Sequence, residues 1–298
     1  MSHLEAEREV EAFPRAAVGR HIRRRDHFVL LLKQSWLARI GVSIVTIALF
    51  LTVFGPYIAP YDLIAATPDI YESPSTTHFF GTDGSGFDIF SRVIAAPRYD
   101  VTIALVATIL SLVLGSMLGL IGAFFRGWTG ELLMRGSDSV QAFPLFVLAI
   151  IFVIGAGRSL INIVIIIALL SVPIFLRLIR SEVLSLRERA FVESATANGS
   201  SRMRIAFRHV LPNAMVPGFA QASITMGYAI IIAAGLSFLG AGVQPPTPEW
   251  GSMIAGGAND IINGRWWISI FPGAAMALTV FGFAIVGEMI QTVLLRRT

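Results

Sequence analysis

The sequence predicts an all-α integral membrane protein with six transmembrane helices and both termini cytoplasmic. Three observations carry that expectation. Of the 298 residues, 55% are hydrophobic and only 14% charged, against about 25% charged in a soluble domain. The apolar residues gather into uncharged runs that reach or approach the roughly 20 residues a helix needs to cross the hydrocarbon layer. Finally, alternate threading of six runs leaves all but four of the 23 lysines and arginines on one side, the side retained in the cytoplasm.

In chain order the runs cover residues 40–57, 101–125, 139–157, 159–176, 210–248 and 266–287. The fifth is too long for one span. It divides into a helix over 214–240 and an extramembrane remainder, because Gln244-Pro245-Pro246-Thr247-Pro248 cannot continue a helix. Gly155 and Gly157, with Arg158 the only charge between runs three and four, mark a tight reversal. Three regions follow: a cytoplasmic tail over 1–39, a first span with a large external loop over 40–100, and a five-helix core over 101–298 with a cytoplasmic loop at 181–212. The tail holds Glu5, Glu7, Glu9 and Glu11 and then the basic run Arg20 to Arg25, with no early apolar core, so no cleavable signal peptide is expected. Basic residues just before a span suit an anionic lipid surface; topology alone explains them equally well.

Composition excludes several activities. The only lysine, Lys33, lies between Leu32 and Gln34, so there is no Gly-Lys-Ser/Thr loop to cradle nucleotide phosphates. With no cysteine there is no disulfide, thiolate nucleophile or cysteine-based zinc cluster. His3, His21, His27, His78 and His209 form no HExxH, and no GxSxG elbow exists. No catalytic residue and no metal ligand is therefore assigned, and nothing points to nucleic acid. A self-contained secondary transporter or channel remains the alternative, although the core runs offer almost no embedded charge for ion coupling.

Three segments outside the spans carry chemistry. The external loop contains His78-Phe79-Phe80-Gly81-Thr82-Asp83-Gly84-Ser85-Gly86-Phe87-Asp88, turn formers interleaved with aromatic anchors. A docking surface for a soluble partner competes there with a plain packed loop. The cytoplasmic segment contains Glu193-Ser194-Ala195-Thr196-Ala197-Asn198-Gly199. Small residues favour close packing, and the glycine can end a helix in the left-handed region. Such a hairpin suits a groove on another protein; an amphipathic helix on the membrane surface is the competing reading. The third segment, the outer loop Ala241 to Arg265, is stiffened by prolines in its stretch Gly242 to Met253 and contains Trp250, which by default anchors at the membrane interface. Within the fifth span, Gln221, Thr225 and Tyr228 fall at i, i+4 and i+7, one helix face. They are candidates for a substrate path, against ordinary bonding between helices. Gly115 and Gly119 form a GxxxG that predicts close helix packing. Glu288 is expected to snorkel or to pair with Arg296 or Arg297.

In this order, the three segments resemble the C-type permease subunit of the dipeptide, oligopeptide and nickel family of bacterial ABC importers. The external string keeps that family's Gly81, Thr82, Asp83, Gly86, Asp88, Ser91 and Arg92, with Phe87 where arginine is usual. The cytoplasmic string is similar to the EAA loop of importer permeases: Glu193, Ala195, Gly199, Leu211 and Pro212 match, Ser194 replaces the middle alanine, and His209 stands at the usual isoleucine. The segment Leu236 to Ile254 looks almost unaltered from the family's. The resemblance implies a MetI-like fold whose first span packs peripherally, in a bacterial inner membrane. It implies a heterodimer with a B-type permease, two cytoplasmic ATPases that bind ATP and Mg, an external binding protein, and cargo such as peptides. Coupling to the ATPases would then fall to Glu193, Ser194, Ala195, Ala197, Gly199, Met203, Leu211 and Pro212. External docking would fall to Gly81, Thr82, Asp83, Gly86, Asp88, Arg92, Pro246, Pro248, Trp250 and Gly251.

Overall fold

A computed structural model describes residues 35–124 and 128–295. The basic run Arg20 to Arg25, Lys33, Arg126 and the expected partners of Glu288, Arg296 and Arg297, lie outside the described residues. The described chain is helical, with one isolated bridge between Thr82 and Asp88. Its helices are α1 (Trp36–Ile58), α2 (Ile89–Ala95), α3 (Pro97–Phe124), α4 (Thr129–Ala142), α5 (Leu145–Ala156), α6 (Leu160–Leu186) and α7 (Ala190–Ala197). A turn at Arg202–Arg204 and a π-helical segment, Ile205–Val210, lead into α8 (Leu211–Phe238). Then come α9 (Trp250–Gly257), a 3-10 stretch, Ala258–Asn263, and α10 (Trp267–Leu295).

Among the described residues, five helices are long and apolar enough to cross a membrane, and a sixth results if α4 and α5 count as one span. That pair is bent by 94°, which corrects the expected continuous span over 139–157. Pro144 forces the preceding residue out of the helical region, and Phe143 sits at φ −87°, ψ 143°. The 12 residues of α5 rise only about 18 Å. Other boundaries lie beyond the uncharged runs, because Arg98 and Asp100 fit the first turn of α3 and Arg177 and Arg180 fit the end of α6.

Helix starts follow side-chain capping. Ser35, Asp88 and Ser159 accept hydrogen bonds from the backbone N–H groups of Ala38, Ser91 and Asn162, satisfying donors that would otherwise be orphaned. At the reversal after α5, Gly157 has φ +91° and the Asn162 amide donates to the carbonyls of Ala156 and Gly157 at 2.6 and 3.0 Å.

The bundle is built on α3 against α6. A Cβ at Gly115 would lie 2.5 Å from Phe175 Cβ and 2.9 Å from the Val172 carbonyl oxygen. At Gly119 it would lie 2.8 Å from the Leu176 carbonyl oxygen and 3.0 Å from the Arg180 nitrogen. The expected GxxxG contact is therefore one of backbone on backbone. α8 packs across this pair and α10 across α8, joined by the Ser223 hydroxyl donating to the Phe283 carbonyl at 2.7 Å. α1 lies at the edge, with Gly41 against Ile285 and Gly282 against Ile44. These contacts place the start of α1, the end of α10 and the α6–α8 connection at one end of the bundle, and the long loop and α9 at the other.

Replacing Gly115 or Gly119 by valine should lower stability by about 1–3 kcal/mol each through overpacking, read as thermal melting of the purified chain in detergent. Gly136→Ala, where an added Cβ meets nothing within 4 Å, should instead leave stability unchanged or raise it by about 0.4–1 kcal/mol.

Candidate functional site

At the end that holds the α6–α8 connection, α7 and the π-helical segment form a compact hairpin. Its inner side is apolar: Val192, Ile205, Ala206, Val210 and Leu211 pack on Leu120, Ala123, Ile179, Val183 and Leu186. Arg187 continues the anchorage, donating from Nη1 to the Ala123 carbonyl at 3.0 Å near the end of α3, where a cation also meets the negative end of the helix dipole. α7 stops in a two-bond cap. The N–H groups of Gly199 and Ser200 donate to the carbonyls of Thr196 and Ala195 at 3.0 and 3.1 Å, and Gly199 takes φ +75°, as this type of helix end requires.

The hairpin's outer side is bare. Glu193, Ser194, Ala197, Gly199, Met203 and Pro212 are exposed, Ala195 is half-buried, and Leu211 is interior. Phe191, Met203 and Phe207 also stand exposed beside them. Apolar side chains grouped on a firmly seated element suit a protein groove. Glu193 has no ion-pair partner among the described residues.

At the opposite end, most of the external candidates face inward. Gly81, Thr82, Gly86, Asp88, Arg92, Pro248, Trp250 and Gly251 are buried, Asp83 is half-buried, and only Pro246 is exposed. They form the buried framework of this end of the bundle. Asp88 Oδ2 accepts from the Ser91 N–H at 2.7 Å and starts α2. Asp83 Oδ1 accepts from the N–H groups of Ser85 and Phe87 at 2.8 and 2.9 Å. The Arg92 guanidinium lies 4.4 Å from the centre of the Phe87 ring, so the residue standing where the family has arginine supplies a cation–π platform. Between loop and α9 runs a groove of about 350 Å³ lined by Asp83, Phe87, Arg92, Pro245, Met253 and Asp260, among others.

Trp250 departs from its expected role as an interfacial anchor. It is 1% exposed; its indole donates to the Val93 carbonyl at 3.1 Å and its backbone N–H to Asp100 Oδ2 at 3.2 Å. The preceding Glu249 caps α9, accepting from the N–H groups of Gly251 and Ser252 at 2.9 and 2.7 Å. Asp100 and Glu249 are thus two buried carboxyl groups in contact. Burial, the largest effect, pushes the Glu249 carboxyl above the ordinary glutamate range, against the hydrogen bonds from Asp100, from the Ser252 and Gly251 N–H groups and from Ser237 that favour its charged form. Asp100 Oδ1 has no donor of its own, so a single proton shared between the two carboxyl groups would satisfy both. Sequence reading missed this pair. Its only signal was that Asp100 is the last charge before a span.

On α8, Thr225 is buried and Gln221 is half-buried, donating to the Thr225 hydroxyl at 3.4 Å, whereas Tyr228 is exposed. The structure therefore brings two of the three together and turns the third toward the open side of the helix.

Comparison with known proteins agrees with this architecture. Residues 111–298 match the family model described as binding-protein-dependent transport system inner membrane component. A dipeptide transport system permease protein, DppC of Alkalihalophilus pseudofirmus, is 39% identical over 88% of this chain and 86% of its own. A probable D,D-dipeptide transport system permease protein, DdpC of Escherichia coli, is 35% identical over 89% of each chain. A glutathione transport system permease protein, GsiD of Pectobacterium atrosepticum, is 34% identical over 84% of this chain and 83% of its own. Among solved structures, the inward-facing MetNI methionine ABC transporter superposes with a TM-score of 0.56 at 16% identity, covering 68% of this chain and 96% of that one, a likeness of fold.

The raised Glu249 group binds its proton more tightly folded than unfolded. Its contribution to stability is therefore complete below the ordinary glutamate range and is lost as pH rises through the raised value. The melting temperature of the purified chain should fall as pH increases across that window. Asp100→Asn, which keeps an acceptor for Trp250 and offers Glu249 an N–H, should flatten the dependence.

Proposed function

The chain belongs to the family of binding-protein-dependent transport system inner membrane components, and on that premise we propose that it forms one half of the conduit of an ATP-driven importer of peptides or similar small solutes. It is a multi-pass membrane protein with a MetI-like fold. The hairpin end carries Arg177, Arg180, Arg187, Arg189, Arg202, Arg204 and Arg208, and by the retention of cations it faces the cytoplasm together with both termini.

A single observation carries the coupling role: the hairpin is seated on the α3–α6 core yet leaves Glu193, Met203 and their neighbours unpartnered. Two partner ATPases that bind ATP and Mg would grip this handle, and closure of the pair would move α6 and α8 as rigid bodies. A B-type permease would complete the conduit against the open side of α8, where Tyr228 and Gln221 become lining residues. An external binding protein would dock over the groove beside Asp83 and Pro246, supported from below by Arg92 and Trp250. The buried Asp100–Glu249 pair sits under that outer face, bonded to backbone donors. That is the position of a structural cap rather than of an ion-coupling relay.

Gly199→Pro cannot hold φ +75° because proline fixes φ near −65°, and Glu193→Lys reverses the charge of the exposed helix. Each variant, at normal membrane levels in the assembled importer, should lose substrate uptake and binding-protein-stimulated ATP hydrolysis at least about tenfold, roughly 1.4 kcal/mol of coupling. Normal uptake in both would overturn the assignment, and flux through the chain alone in liposomes would point to a secondary carrier.

A further inference from the structure

We propose that Asp69, Glu72 and His78 of the external loop form a binding site for a divalent transition-metal ion of the zinc class. One donor atom from each lies within 4.8 Å of the other two. His78 Nε2 is 3.9 Å from Asp69 Oδ2 and 3.8 Å from Glu72 Oε2. Those gaps are too long for hydrogen bonds, so a proton on Nε2 would reach neither carboxylate well. Two donors each ~2.1 Å from a shared tetrahedral ion stand roughly 3.4 Å apart, so the two histidine–carboxylate gaps of 3.9 and 3.8 Å would have to close by about half an ångström.

The histidine is prepared for the task. Its Nδ1 is 2.8 Å from Asp88 Oδ1, where a carboxylate accepts the Nδ1 hydrogen, and Nε2 is the ring atom that faces the two acids. A carboxylate behind a histidine that points at a metal is the usual orienting arrangement. Asp88 is itself held by the Ser91 N–H, and the His78 ring is 1% exposed and stacked on Tyr61 with centres 4.5 Å apart. Nε2 and the two carboxylate oxygens converge on one point, and two carboxylates with an imidazole would balance a doubly charged ion.

The backbone that carries the acids is fixed as well. The Thr82 hydroxyl donates to the Asp69 carbonyl and accepts from the Glu72 N–H, and the Thr82 N–H donates to the Glu72 carbonyl at 2.9 Å. Ser75 occupies Glu72 Oε1 at 2.9 Å and leaves Oε2 toward the histidine. Asp69 is 57% exposed, which gives the ion a route from solvent and a position for water as fourth ligand. Imidazole with two carboxylates suits zinc better than magnesium or calcium, which take oxygen alone. Bound there, the ion would tie residues 69–72 through His78 and Asp88 to the start of α2.

The full chain in nanodiscs, stripped with chelator and re-equilibrated with zinc chloride, should retain about one zinc per chain by atomic emission and should melt at a higher temperature than the stripped form. Magnesium or calcium at equal concentration should do neither. The double variant Asp69→Asn, Glu72→Gln, altered at partly exposed side chains, should fold yet lose both responses, and Asp88→Asn should weaken zinc binding about tenfold to a hundredfold. Zinc content no higher in the native chain than in the double variant, or a melting temperature indifferent to zinc, would overturn the site and leave the cluster as an ordinary histidine–carboxylate contact.

Discussion

Contact between the backbones of α3 and α6 at Gly115 and Gly119 is the constraint on which the bundle rests. Lipid tails are as apolar as the side chains they touch, so helices in a membrane gain little by hiding leucine and gain most from packing closely. Removing two side chains brings the helices close enough that even one methyl group would collide with main-chain atoms. With that pair fixed, α8 and α10 have a surface to lie on, and the connection between α6 and α8 emerges at a defined place. The hairpin inherits its position from this contact: Ile179, at the Gly119 crossing, and Val183, one turn beyond it, are among the residues on which it sits.

The outer end is held by different forces. There the chain leaves helix for some thirty residues, and each turn is closed by a named polar partner: Asp83, Asp88, Thr82 and, across from them, Glu249 and the Trp250 indole. Trp250 joins the two outer segments, since its side chain bonds α2 and its backbone bonds α3. Most of the motif residues that read as a docking surface are thus buried framework. A partner would meet the groove they shape, with the half-buried Asp83 and the prolines at its rim.

Much of the membrane architecture was legible because hydrocarbon is an exacting solvent: an uncharged run of the right length has few other destinies. The ends of spans were less so. Arg98, Asp100, Arg177 and Arg180 stopped the count of uncharged residues, yet all four lie within helices, where a long or buried polar side chain is accommodated by its neighbours. The break at Phe143-Pro144 had its signal in the proline, which counting uncharged residues passes over. The hairpin was the best-read part, since Gly199 ends α7 through a local rule. The external loop was the worst read. Asp69, Glu72, His78 and Asp88 have no periodic spacing, and Asp100 stands 149 residues before Glu249; only the tertiary fold makes neighbours of them.

The π-helical turns of Ile205–Val210 carry a consequence for how such a protein can change over evolutionary time. A wide turn is one that has absorbed an extra residue inside a continuing helix. Losing or gaining a residue there would turn the hairpin about the axis of α8 by roughly 100° and lift Ile205, Ala206 and Val210 off Leu120, Ile179 and Val183. The segment is a phase setter: its length fixes which side of the hairpin is seated and which is left bare, so an insertion or deletion there survives only with a repacked seat.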